Sequence, residues 1–214
     1  MAMGMRGRIR WGRWIRRGFY TVFIGGAGDK SPFLGYGPSK IMSDVMKDFN
    51  TDVKAAGKTE DTKYYGYEDQ DEILADILNV LKNNPNEKIN IVGHSLGGWV
   101  GARVAEALGK CSNSTTGASY KVNNLVTLDP VGTTYFLFQA KPTPTADNWI
   151  NVLANPTTPD FTDTIANLGG RWKNPTNTNS SYAIDVNHAN AGALFRNTPT
   201  PGGISASQTI INGL

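Results

Sequence analysis

The sequence predicts an α/β fold: a mostly parallel sheet with helices on both faces. Three observations predict it. Short apolar runs alternate with helical patterns along the first 153 residues, which is the order a parallel sheet requires. Two of those runs end directly in glycine-rich turns, at Gly25 to Asp29 and Gly93 to Gly98. The chain has 214 residues, 39% apolar and 18% charged, which suits one soluble domain of ordinary size. Such a domain buries roughly 70% of the surface its unfolded chain exposes and needs no disulfide or metal to fold.

The elements follow in order. Gly18 to Ile24 (GFYTVFI) reads as a buried strand, and Gly25-Gly26-Ala27-Gly28-Asp29 as the loop after it. Lys40 to Phe49 reads as a modest amphipathic helix. Glu68 to Lys82 is a stronger one, with Ile73, Leu74, Ile77, Leu78 and Leu81 on one stripe. Asn83-Asn84-Pro85-Asn86 stops it. Lys88 to Val92 is the next strand, Gly93 to Gly98 a tight turn, and Trp99 to Leu108 a helix closed by Gly109. Val122 to Leu128 is a third strand, ending at Asp129-Pro130, and Trp149 to Leu153 a fourth. Outside that strand Pro, Thr, Asn and Gly dominate from about Lys141 onward, so the C-terminal part reads as loop-rich. The N-terminal strands read as reduced. There is no internal repeat.

Charge is unevenly spread. Arg6, Arg8, Arg10, Arg13, Arg16 and Arg17 precede any acid, while the whole chain carries only +3, so the remainder is net negative. Residues 1–17 are expected to form a basic arm or edge strand, and 18–214 a single α/β domain. Trp11, Trp14, Ile9 and Ile15 interleave with the arginines. That mixture suits an anionic membrane surface or a solvated edge strand. A nucleic acid is not expected, because no base-reading motif is present. No apolar run approaches the ~20 residues that span a bilayer, and no apolar segment of a secretory signal follows the arginines. The expected location is the cytoplasm, or outside the cell without a classical signal. Cys111 is the single cysteine, which excludes an internal disulfide. With two histidines and no second cysteine, neither a metal nor a cofactor is expected.

Gly93-His94-Ser95-Leu96-Gly97-Gly98 carries the strongest chemical signal. A Gly-x-Ser-x-Gly match is weak by itself in a chain with 24 glycines, but here it follows a strand and opens a helix, the setting of a nucleophile elbow. The tight turn strains the serine backbone and exposes its hydroxyl. Small residues two before and two after let strand and helix approach. A serine nucleophile needs a base, and the base an orienting acid. His94 adjoins Ser95 and should point away from the hydroxyl, leaving His188 as the base. Asp129, at the end of a strand beyond the nucleophile, is the expected acid. Asp185, three residues before His188, is the alternative, and Asp160 and Asp163 are weaker ones. The oxyanion hole needs two N–H groups: one from Leu96, the other from Gly26 or Ala27 in the first glycine loop.

These residues resemble the lipase branch of the α/β-hydrolase superfamily. GHSLGG (93–98) resembles the lipase elbow, TLDP (127–130) the segment that carries the acid, Asn187-His188 the dipeptide that carries the base, and IGGAGDK (24–30) the oxyanion loop, with Ala27 at the donating position. Gly25 stands where many lipases carry His, and no long helical lid is evident. The resemblance implies a Ser-His-Asp esterase or lipase acting through an acyl-enzyme without a cofactor. Tyr135, Phe136 and Phe138, within Tyr135-Phe136-Leu137-Phe138, are candidates for an acyl pocket, suiting a lipid or medium-chain ester. A thioesterase, amidase or acyltransferase would use the same residues, and a non-catalytic binding scaffold would need none of them.

Overall fold

The computed structural model describes residues 18–33, 35, 37–113, 116–134 and 139–214. The expected arm at 1–17 and the patch at 135–138, with Tyr135, Phe136 and Phe138, lie outside them. Six parallel strands form one sheet: β1 (Phe19–Gly25), β2 (Asp61–Gly66), β3 (Lys88–His94), β4 (Val122–Leu128), β5 (Ala146–Ala154) and β6 (Ser180–Ile184). Their spatial order is β2-β1-β3-β4-β5-β6, and every neighbouring pair is parallel. The helices are α1 (Ile41–Ala55), α2 (Gln70–Asn83), α3 (Leu96–Gly109), α4 (Phe161–Gly169), α5 (Ala191–Arg196) and α6 (Ala206–Gly213).

Strand side chains alternate between two faces, and each face has its own core. Val22, Ile24, Ile89, Ile91 and Leu125 meet Ile73, Ile77 and Leu81 of α2 and Ala102, Val104 and Ala105 of α3. On the other side Phe23, Val92, Val126 and Val152 meet Met42, Val45 and Phe49 of α1, Leu194 and Phe195 of α5, and Ile210 of α6. Burial on both faces explains why the central strands read as continuous apolar runs. The outer strands differ. β2 (DTKYYG) and β6 (SSYAI) are polar and largely uncovered, with burial patterns that leave Asp61, Ser180 and Ser181 exposed. Charges and hydroxyls blunt such edges, and the same residues hide them from an apolar pattern.

The first three helices match the expected patterns with shifted ends. α1 runs on to Ala55 because Val53 continues its buried stripe. A 3-10 turn over Tyr67–Asp69 precedes α2. α3 starts at Leu96, so the glycine turn is itself the first helical turn. The C-terminal part contains α4, β6, α5 and α6 between its loops, elements that the composition alone does not reveal.

A row of side-chain amides crosses the amino-terminal half of the sheet. Asn148 Nδ2 donates to Asn124 Oδ1 (3.1 Å), Asn124 Nδ2 to Asn90 Oδ1 (2.8 Å), and Asn90 Nδ2 to Thr21 Oγ1 (3.0 Å). The buried amides of Asn90 and Asn124 and the hydroxyl of Thr21 are thus paired. Glu60 ends the row, accepting from Thr21 and Asn90. Burial pushes its carboxyl up to about 8. Among the described residues no helix is long and apolar enough to cross a membrane.

Candidate active site

The site lies beyond the carboxyl ends of β1, β3 and β4, where ligands bind in open parallel sheets. Ser95 joins β3 to α3 with φ 57° and ψ −127°, a region an L-residue seldom occupies and holds only when its surroundings impose it. The surroundings do so. Ser95 N–H donates to Leu128 O (3.0 Å), and Ser95 O accepts from Val131 N and Gly98 N (both 3.0 Å). A Cβ on Gly93 would overlap the Gly97 carbonyl, and one on Gly97 the Ile24 carbonyl. That is the physical reason for small residues on both sides of the serine.

Ser95 Oγ stands 3.0 Å from His188 Nε2, and His188 Nδ1 stands 2.6 Å from Asp129 Oδ2. The carboxylate only accepts, so the ring carries its proton on Nδ1 and accepts from the serine hydroxyl at Nε2. Asp129 is wholly buried at the end of β4, with φ 40°. Its N–H donates to Val152 O (2.6 Å), and its Oδ1 accepts from Ala154 N (3.3 Å). Asp185 lies elsewhere. Its carboxylate accepts from the backbone and hydroxyl of Thr157 (2.6 Å each), which lower its pKa, and it remains exposed. Of the four acids considered, Asp129 is the one hydrogen-bonded to the His188 ring.

Gly26 and Leu96 flank the serine. A Cβ on Gly26 would sit 2.6 Å from Ser95 Cβ and 3.1 Å from Ser95 Oγ, so the glycine lets the β1 loop touch Ser95. Ala27, next along that loop, packs against Leu96, Val131 and Ala166. Leu96 opens α3, where the first N–H groups have no intrahelical acceptor and the helix dipole is positive. Asp29 pins the loop: its N–H donates to Gly26 O (3.2 Å), and its buried carboxyl accepts from Ser39 Oγ (3.0 Å), Met42 N (3.2 Å) and Tyr64 OH (3.2 Å). Burial raises the pKa of that carboxyl despite these donors.

Three supports of the histidine escape a sequence reading. His94 Nε2–H donates to the backbone carbonyl of His188 (2.8 Å) across 94 positions. Complete burial, reinforced by His188 nearby, holds the His94 pKa down to about 3. Asp163, also buried, accepts from His188 N (3.0 Å) and Asn187 Nδ2 (3.0 Å). Burial raises the pKa of this acid, but donors from Asp160 N, Arg171, His188 N and Asn187 outweigh it and bring it to about 2. Arg171 bridges Asp163 and Asp129. Of these, only the Asp160-x-x-Asp163 capping box that starts α4 has a local signature. Among the described residues no cluster of three or more His, Cys, Asp or Glu could hold a metal.

Comparison with known proteins adds two findings. A family model for the alpha/beta hydrolase fold matches residues 34–201. A solved structure from Lactobacillus plantarum WCFS1, provisionally named a cell surface hydrolase, is 11% identical, with 91% of this chain and 89% of that chain covered and a TM-score of 0.46. Comparison of the sequence with curated proteins gave no match.

Proposed function

The chain belongs to the α/β hydrolase fold family, and from that premise we propose that it is a serine hydrolase of carboxylic esters, a lipase or esterase. The observation that carries this reading is the hydrogen-bonded series Ser95 Oγ to His188 Nε2 (3.0 Å) and His188 Nδ1 to Asp129 Oδ2 (2.6 Å). Both spacings allow direct proton transfer or fixation. Ser95 attacks the acyl carbon while His188 takes its proton. Asp129 holds the imidazole tautomer and stabilises the imidazolium. The N–H groups of Leu96 and Ala27 receive the oxyanion of the tetrahedral intermediate. His188 then returns the proton to the leaving alcohol, and it activates water to release the acyl group from Ser95.

An apolar acyl substrate is favoured by the exposed apolar surface of α4, the helix packed beside Leu96. α4 packs Ala166 against Leu96 and Val131. It turns Phe161, Ile165 and Leu168 outward, with 66%, 42% and 69% of their surface exposed. These residues fall at i, i+4 and i+7, one helix face.

The test is hydrolysis of p-nitrophenyl esters of increasing chain length by the wild type, Ser95→Ala and His188→Ala. Turnover should fall ~10⁴-fold or more in either variant, because the three residues act as a unit. Turnover retained in folded Ser95→Ala would overturn the reading, and the chain-length optimum separates esterase from lipase.

A further inference from the structure

We propose that Arg171 is a positioning residue for the hydrolytic site, holding the acid and the base in one arrangement. The inference rests on the Ser95–His188–Asp129 reading above and goes beyond it. Arg171 Nε stands 3.1 Å from Asp129 Oδ2, the same oxygen that meets His188 Nδ1, in an ion pair whose N–H is not aligned for a hydrogen bond. Its Nη2 donates to Asp163 Oδ1 (2.6 Å), and its Nη1 to Ala154 O (3.4 Å). Asp163 Oδ1 in turn accepts from His188 N (3.0 Å). One guanidinium therefore touches the acid on one side and, on the other, the carboxylate that holds the backbone of the base.

The placement of Arg171 is fixed by the segment that directly follows Asp129. Arg171 forms an antiparallel bridge with Val131, and Trp172 N–H donates to Pro130 O (2.7 Å). Its side chain is 9% exposed, against 0% for Asp129 and 3% for Asp163. A cation between two buried carboxylates offsets their mutual repulsion and part of the cost of burying them. A guanidinium is the suitable cation, because it never loses its proton and its planar fork reaches two acceptors at once. With Arg171 present the two carboxylates and the guanidinium sum to one negative charge. That charge is balanced when His188 carries the serine proton. Lysine, a single point charge, cannot span both contacts.

The test compares Arg171→Gln and Arg171→Lys with the wild type and follows two readouts. The first is the split of kcat and KM on a short p-nitrophenyl ester. Displacement of the base by about 1 Å costs on the order of 10²-fold in kcat, so Arg171→Gln should lose about that much and Arg171→Lys less, both with KM nearly unchanged. The second is the far-downfield proton resonance of the His188–Asp129 hydrogen bond, which Arg171→Gln should shift or broaden. This signal is read without turnover, so it tests Arg171 even if the ester reading fails.

A cavity of about 110 Å³ lined by Asp129, Asn155, Arg171 and Lys173 offers a third readout. Sub-denaturing guanidinium chloride should restore activity to Arg171→Gln and not to Ser95→Ala. Folded Arg171→Gln with wild-type kcat and an unmoved downfield proton would overturn the proposal. Should Arg171→Gln fail to fold, Arg171→Lys carries the test, and kcat within about twofold of wild type with the proton in place overturns it.

Discussion

The two sides of the candidate site are held by different physics. Around Ser95 the backbone does the work: a serine at φ 57°, carbonyls packed against Gly93 and Gly97, and Gly26 pressed on the serine side chain. Around His188 side chains do it: Asp163, Arg171 and His94 reach His188 or Asp129 through buried polar contacts. α4 shows the contrast best. It buries Asp163 and Ala166 and exposes Phe161, Ile165 and Leu168, the reverse of an ordinary surface helix. Its buried carboxylate is what orders the loop carrying His188. A nucleophile can thus be placed by a few adjacent residues, whereas a base delivered by a distant loop needs long-range charges to hold it.

The largest effect expected from breaking this arrangement is at the acid. Asp129→Asn should lower kcat by about 10⁴-fold, because the amide favours the wrong tautomer of His188. Asp185→Asn should leave kcat nearly unchanged. Steady-state kinetics on the two folded variants checks this, and equal losses would contradict the assignment of the acid. Next comes the backbone side. Gly26→Ala places a methyl group against Ser95 Cβ and Oγ, and about 10²-fold in turnover should go with modest loss of stability, since misplacement by about 1 Å suffices. Wild-type turnover in that variant would mean that the loop does not approach the nucleophile.

On the side-chain side, Asp163→Ala leaves Arg171 and the His188 N–H short of a buried partner and removes half of a capping box. A destabilisation of about 3 kcal/mol is expected, measured by urea unfolding. A change below about 1 kcal/mol would mean that the carboxylate is dispensable to the loop.

A further expected effect is a pH dependence remote from the site. The Glu60 carboxyl is pushed by burial to about 8, against an ordinary 4.5. Between those values the folded chain keeps a proton that the unfolded chain releases, so stability falls as pH rises from about 4.5 to about 8. Glu60→Gln should flatten that slope in urea midpoints taken across the window. An unchanged slope would remove Glu60 as its source.

What was legible in the sequence follows the same division. The four central strands and the elbow could be read because apolar runs and glycine spacing are local. Asp129 and His188 could be paired with Ser95 because the chain has two histidines and Asp129 directly follows a strand with a legible apolar run. β2 and β6 could not be read, since edge strands rich in Asp, Lys and Ser lack an apolar pattern. α4 has the i, i+4, i+7 spacing of an amphipathic helix, but that spacing would have turned Phe161, Ile165 and Leu168 inward. Arg171 had no signal at all: its partners lie 8 and 42 positions away, and only folding brings them together.

The central claim is that Ser95 is a nucleophile activated by His188. A fluorophosphonate probe followed by peptide mass spectrometry tests it most directly. The account predicts a single adduct on Ser95 in the wild type, and none in His188→Ala under the same conditions. An adduct on another residue, or no adduct on the folded wild type, would contradict it.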